Sequence, residues 1–218
     1  MHYIDALLFW TKMAAPHRAK MAPATDASQN GSAMHSIQRR VAARLLCKNV
    51  GGVALASPVF SAMYPDATFI ALVRNGFALC EGYTRRGRSA AHAGKMFETV
   101  CQQMLQDAKR IPNYHIVRFE DMVSDPVAVL TEIYRHAGLD ISRVTKFRLQ
   151  VQESTGKDGR RSFAFGAIDR ETRWFSLAEL GNCFRRDVNE NQIARLGEQD
   201  KRIFLQHAER SMEQLGYL

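Results

Sequence analysis

The chain has 218 residues, a length that suits one globular domain with or without a small appendage. Apolar residues make up 46% and charged residues 24%, which excludes wholesale disorder and a multi-span membrane protein. The formal charge is +8; residues 1–65 hold seven basic residues against Asp5 and Asp26, so an anionic partner is expected: nucleic acid, a membrane surface or a phosphorylated small molecule.

Residues 1–35 read as a peripheral or mobile lead-in, with a helical stretch around Tyr3–Met13 and a loop over Met21–Ala33 rich in Ala, Pro, Ser, Asn and Gly. The domain itself is expected over 36–218. A basic helical segment from Ser36 runs into Arg44–Lys48, a short apolar burst of buried-strand type that stops at Asn49, Gly51 and Gly52. Ser57 followed by Pro58 predicts a helix capped by Ser57 and ended by Pro65-Asp66. Ala67–Val73 is a continuous apolar run of strand length ending at Arg74-Asn75-Gly76. Phe97, Val100, Cys101, Met104, Leu105 and Ala108 keep helical spacing, and His115–Phe119 reads as a third strand. Asp125-Pro126 opens another helix, closed by Gly138. Alternating strands and helices imply a parallel sheet in a doubly wound α/β core. Farther on, Glu153–Phe165 is a basic loop, and Ser176–Leu180 and Asn191–Leu215 read as surface helices, the last amphipathic through Ile203, Phe204, Ala208, Met212 and Leu215.

Four cysteines lie far apart without CxxC or paired His spacing, so free thiols are expected and neither a metal site nor a disulfide framework is signalled. No apolar run approaches the roughly 18 residues that span a bilayer, and no Lys or Arg precedes Ile4–Trp10 as a secretory signal requires, so a cytoplasmic location is expected.

Ligands of open parallel sheets bind at the carboxyl ends of the strands. Those ends carry Lys48-Asn49, Arg74-Asn75-Gly76 and Glu120-Asp121. Arg74 with Asn75-Gly76 opening a helix suggests a phosphate site made of a guanidinium fork and helix amides; a solvated strand-end charge is the plainer alternative. Glu120 and Asp121 read as structural carboxylates that hold neighbouring loops through backbone N–H groups or arginines.

The block Tyr64–Gly76 (YPDATFIALVRNG) followed by Arg118–Pro126 (RFEDMVSDP) resembles the sulfotransferase family that uses 3'-phosphoadenosine 5'-phosphosulfate (PAPS). That family carries F-P-x-A-x-F-I-x-L-V-R-x-P/G and then R-Y-E-D-L-x-x-D-P; Tyr64 and Phe119 are conservative departures. Lys48-Asn49 stands where the family has Lys-Thr or Lys-Asn at a strand end. The resemblance covers roughly residues 40–140. It implies a P-loop-NTPase-like three-layer α/β/α parallel sheet with C-terminal helices, PAPS as donor substrate without a metal, and a small-molecule, glycan or lipid acceptor bearing a hydroxyl or amine.

By resemblance, Arg74 grips the donor's 3'-phosphate, and the family's Ser partner falls at Gly82, which has no hydroxyl; Thr84 or Ser89 are the available substitutes. Lys48 becomes the cation beside the sulfuryl group. The cytosolic branch's catalytic His corresponds to Val50, so the base is unassigned, with Glu81 and His92 as candidates that also have structural readings. Lys157, Arg160 and Arg161 correspond in position to a phosphate-covering loop, or else form a solvated charge run.

The family's opening P-K/R-S-G-T-T segment, which cradles the 5'-phosphosulfate, is not found ahead of Lys48, and Gly94-Lys95 does not make a Walker A loop. The expected fold is therefore N-terminally incomplete. Two functional readings follow: a sulfotransferase, or a truncated or degenerate non-catalytic relative that binds a nucleotide or anion. Nucleic-acid binding through the basic N-terminal region is a third, without interleaved aromatics or a recognised motif to support it.

Overall fold

The structure, a computed structural model, describes residues 7–13, 44–149, 154–155, 161–162, 173–182, 184 and 186–218. The basic segment expected after Ser36 lies largely outside them, as do Lys157, Arg160 and Cys183.

At the centre is β3 (Thr68–Val73), whose six residues are all buried. Phe69, Ala71 and Val73 join one apolar cluster, while Ile70 and Leu72 join another on the opposite face. A strand covered on both faces cannot alternate apolar with polar, which explains the continuous apolar run. Its parallel neighbour is β4 (Tyr114–Arg118), in register from Phe69↔Tyr114 to Val73↔Arg118. The connection between them passes through α2 (Gly76–Thr84) and α3 (Ala90–Arg110), a crossover of the kind parallel strands require.

Strand β1 (Leu7–Met13) corrects the helix expected around Tyr3–Met13. It lies between β2 (Arg44–Val50) and β3 and is antiparallel to both, so the four-stranded sheet runs β2-β1-β3-β4. The sheet is thus mixed: β3 and β4 form the expected parallel pair, and β1 is reversed within it. A segment of seven residues barely offsets the cost of helix nucleation, whereas a strand with partners on both sides satisfies its backbone groups and covers an otherwise open edge of β3.

Ser57 does not cap its helix. A 3-10 turn over Gly51–Ala56 runs directly into α1 (Ser57–Met63), and the buried Ser57 hydroxyl donates to the Ala54 carbonyl oxygen at 2.7 Å. Bonding back to the preceding turn replaces the capping role and joins the two helical pieces. Elsewhere the capping signals hold. The Asp125 carboxylate accepts from Ala128 N–H at 3.0 Å at the start of α5 (Pro126–His136), and Gly138 takes φ +63° beyond its end.

Helices cover both faces, giving three layers. Phe119 and Met122 of α4 (Phe119–Ser124), with Val129 and Ile133 of α5, pack against Ile70, Leu72 and Val117. On the other face α3 carries α7 (Glu198–Gln214), whose Phe204, Ala208 and Met212 are fully buried. The amphipathic face expected there is real, but it belongs to a core helix. The long helix expected over Asn191–Leu215 is divided into α6 (Val188–Ile193) and α7, because the chain turns inward at buried Leu196 and restarts after Gly197. Ser176–Leu180 is a turn leading into a single 3-10 turn at Leu180–Asn182. Two small antiparallel pairs complete the described elements: β5 (Phe147–Leu149) with β8 (Arg173–Phe175), and β6 (Ser154–Thr155) with β7 (Arg161–Ser162) inside the expected loop.

Two glycines permit this packing. A Cβ on Gly76 would stand 2.6 Å from the Phe204 ring and 2.7 Å from the Met212 sulfur. On Gly94 it would stand 2.7 Å from the Phe204 carbonyl oxygen, a backbone atom that cannot swing away. Gly94→Ala is therefore expected to destabilise the fold by about 1–3 kcal/mol in urea unfolding, despite the better helix propensity of alanine.

Asp107 of α3 is buried, accepts from the Gln103 amide at 2.7 Å and leaves Oδ2 without a partner in the protein. Burial pushes its carboxyl above the ordinary value, opposed by the Gln103 hydrogen bond and then the Arg110 charge. Because the folded value is raised, the folded state binds more protons than the unfolded chain above about pH 3.8. Stability should fall as pH rises from there through the folded value, and Asp107→Asn should remove that part of the dependence in denaturation midpoints recorded from pH 4 to pH 8.

Candidate functional site

The parallel register sets Val73 beside Arg118, so the strand ends Arg74-Asn75 and Phe119-Glu120 emerge next to each other. Arg74 is 4% exposed, and a guanidinium cannot shed its charge on burial. Its Nε donates to Asn189 Oδ1 at 2.6 Å, its Nη2 donates to Gln192 Oε1, and its plane lies 4.7 Å from the centre of the Phe119 ring.

Both amides pass the contact on to a carboxylate. Asn189 Nδ2 donates to Glu120 Oε1, and Gln192 Nε2 donates to Glu81 Oε2 at 3.0 Å. Glu120 also accepts from Asn75 N–H at 2.9 Å and from the Tyr217 hydroxyl at 2.8 Å. Burial, then the Glu120 charge and hydrogen bond, push the Tyr217 phenol above its ordinary range and keep it a donor. Glu81 Oε1 takes Nε–H of Arg85 at 3.1 Å and of Arg195 at 3.0 Å. Burial, followed by the Arg195 and Arg86 charges, lowers the Arg85 value. Beside this network Arg118 lies over Tyr217, 4.6 Å from the ring centre, and donates from Nη2 to the Gly216 carbonyl oxygen at 3.3 Å.

The structural reading of Glu120 holds, since it ties the start of α2 to the C-terminus. Other expectations change. The first amides of α2 were expected to face an anion; instead Asn75 Oδ1 accepts from Phe77 N–H at 2.9 Å and Ala78 N–H at 3.4 Å, because an Asn at this position caps its own helix. Gly82 is buried in α2, and its carbonyl oxygen accepts from Arg86 Nε at 2.7 Å. Neither proposed substitute for its hydroxyl turns to Arg74: Thr84 donates to the Glu81 carbonyl oxygen at 3.1 Å, and Ser89 caps α3 by accepting from His92 N–H at 3.1 Å. Glu81, considered as a base, is buried with its Oε1 held by the guanidinium groups of Arg85 and Arg195, which gives it a structural place instead. His92 is exposed, with its ring 5.9 Å from that of Tyr83.

Lys48 is exposed on β2, level with Ile70 through their shared partner Phe9. Two strands separate by roughly 10 Å when one lies between them, so Lys48 and Arg74 are apart in the sheet. Both β2 and β3 are antiparallel to β1, however, and so run toward the same carboxyl edge. Arg161 begins β7.

Asn189, Gln192, Arg195 and Tyr217 were not legible as site residues. Asn189 and Gln192 share one helical face by their i, i+3 spacing, but their partners lie more than 60 residues away, and local spacing cannot name them. The expected free thiols are present at half-buried Cys47 and buried Cys80 and Cys101. Burial, with Asp200 and Glu81 adding to it, pushes Cys80 up to about 12, which leaves it an unreactive thiol. Among the described residues no group of three or more His, Cys, Asp or Glu could hold a metal, and no helix is long and apolar enough to cross a membrane.

A family model described as "Sulfotransferase family" matches residues 4–143, more than half of the chain. No curated protein and no solved structure matches it.

Removing Glu81 strips an acceptor from Gln192, Arg85 and Arg195 together. Glu81→Ala is expected to cost about 3 kcal/mol in urea unfolding, more than Glu81→Gln, which keeps an oxygen to accept.

Proposed function

From the chain's membership of the sulfotransferase family, we propose that it transfers a sulfuryl group from PAPS to the hydroxyl or amine of a small-molecule, glycan or lipid acceptor. The observation that carries the reading is Arg74, a cation held at the carboxyl end of β3, beside the end of β4, inside the sequence blocks that resemble the family. Open α/β sheets bind ligands at that edge.

In this reading the acceptor oxygen or nitrogen attacks sulfur while the bond from sulfur to the bridging oxygen breaks, releasing 3'-phosphoadenosine 5'-phosphate. Charge builds on the sulfuryl and leaving-phosphate oxygens. In this reading the exposed Lys48 ammonium of β2 supplies positive charge for them. Arg74 takes the 3'-phosphate as a fork, and Gly82, where the family has a hydroxyl, contributes only space. By resemblance Lys157, Arg160 and Arg161 would cover the donor. The acceptor's proton needs a base, and with Glu81 engaged by Arg85 and Arg195 that base lies elsewhere.

A second reading is a degenerate relative without catalysis; in its favour, Nε and Nη2 of Arg74 already have protein acceptors, which counts against a working donor site there. Calorimetry with 3'-phosphoadenosine 5'-phosphate, together with a sulfuryl-transfer assay over phenol, sugar and amine acceptors, separates the two. Arg74→Ala should weaken binding about tenfold to a hundredfold, and Lys48→Ala should lower turnover more than donor affinity. Binding untouched by Arg74→Ala would remove Arg74 from the donor site. Binding without transfer to any acceptor would favour the non-catalytic reading.

A further inference from the structure

Arg74 meets its protein partners through Nε and Nη2, the edge of a guanidinium that grips a carboxylate or phosphate with two parallel hydrogen bonds. Asn189 and Gln192 fill that edge with two neutral amide oxygens. As long as they do, no phosphate can take it. We propose that α6 is a latch over the donor site: Asn189 and Gln192 stand in for the phosphate oxygens in the unliganded protein, and they withdraw when the 3'-phosphate takes Arg74. The proposal rests on Arg74 being the phosphate group's partner.

Three features suit α6 to this role. It is only six residues long, and Gln192 is its one buried residue. Its hydrogen bonds run from Gln192 to Glu81 of α2 and from Arg74, at the end of β3, to Asn189 and Gln192, and an anion replaces the two at Arg74. Buried Leu196 and the adjoining Gly197 anchor its C-terminal side to the core and leave a pivot there.

Opening also leaves neither carboxylate orphaned. Glu120 retains Asn75 N–H and the Tyr217 hydroxyl, and Glu81 retains Arg85. The Arg85 charge offsets that of Glu81, and the two neutral donors hold Glu120 in place. Exchanging neutral oxygens for a phosphate strengthens both hydrogen bonds to Arg74, which drives the exchange. Because the competing contacts must first break, the apparent affinity of the wild-type site is reduced by the fraction of molecules that are open.

The test is calorimetry with 3'-phosphoadenosine 5'-phosphate on the wild-type chain and on the double variant Asn189→Ala/Gln192→Ala, with hydrogen exchange of the α6 amides in both. The expected result is about three- to tenfold tighter binding in the double variant, and faster exchange at residues 188–193 when the wild-type chain binds the ligand. A silent wild type with a double variant that binds also supports the latch. Unchanged or weaker binding in the variant, or α6 amides that the ligand protects, overturns the latch while leaving Arg74's role intact. No binding by either chain, with no effect of Arg74→Ala, overturns the latch and the donor-site reading together.

Discussion

A permanent cation buried at the end of the central strand is the constraint around which this structure is arranged. Arg74 cannot neutralise itself, and nothing in β3 or α2 offers it an acceptor among the hydrogen bonds described. Two of its donors meet acceptors on α6, more than a hundred residues later in the chain, and each of those amides leads on to a carboxylate, Glu120 or Glu81. Through those relays the ends of β3 and β4, the start of α2, helix α6 and the C-terminal Tyr217 become one polar unit. Half-satisfied, such a network would cost more than an apolar core; satisfied throughout, it defines a single arrangement.

The polar unit depends on apolar packing beneath it. Phe204 and Met212 of α7 press against Gly76, the first residue of α2, while Gly94 lets the backbones of α3 and α7 approach closely. Those contacts set where α7 lies, and hence where Leu196 and α6 sit relative to Arg74. Helices α6 and α7 both follow the residues matched by the family model. The matched segment brings the strand-end arginine and the Phe119 ring beside it, and the remainder of the chain supplies the amide oxygens to which it donates.

Legibility in the sequence followed the range of the interactions. The central strand was readable because burial on both faces leaves an unbroken apolar run, and α5 because its Asp125-Pro126 start and Gly138 end are local events. Where two local rules competed, tertiary context chose between them: Ser57 had the wording of a cap, but burial turned its hydroxyl to Ala54. The stretch around Tyr3–Met13 was read as helical because so short an apolar run does not separate a strand from a helix, and over Leu7–Met13 the two neighbouring strands made the choice.

The sequence by itself determined the α/β order, the parallel pair at its heart, the family and the cation at the end of β3. Each follows from neighbours in the chain: apolar runs, caps, and motif wording within two short blocks. Only the tertiary structure decided that Asn75 spends its oxygen on its own helix, that Glu81 is a structural counter-charge, and that Asn189 and Gln192 occupy Arg74. The physical reason is that a hydrogen bond needs two groups within about 3 Å, and helical spacing fixes such distances only across three or four residues. Between Arg74 and Gln192 the chain passes through strand β4, helices α2 to α5 and two small antiparallel pairs, and their meeting is a property of the packed molecule.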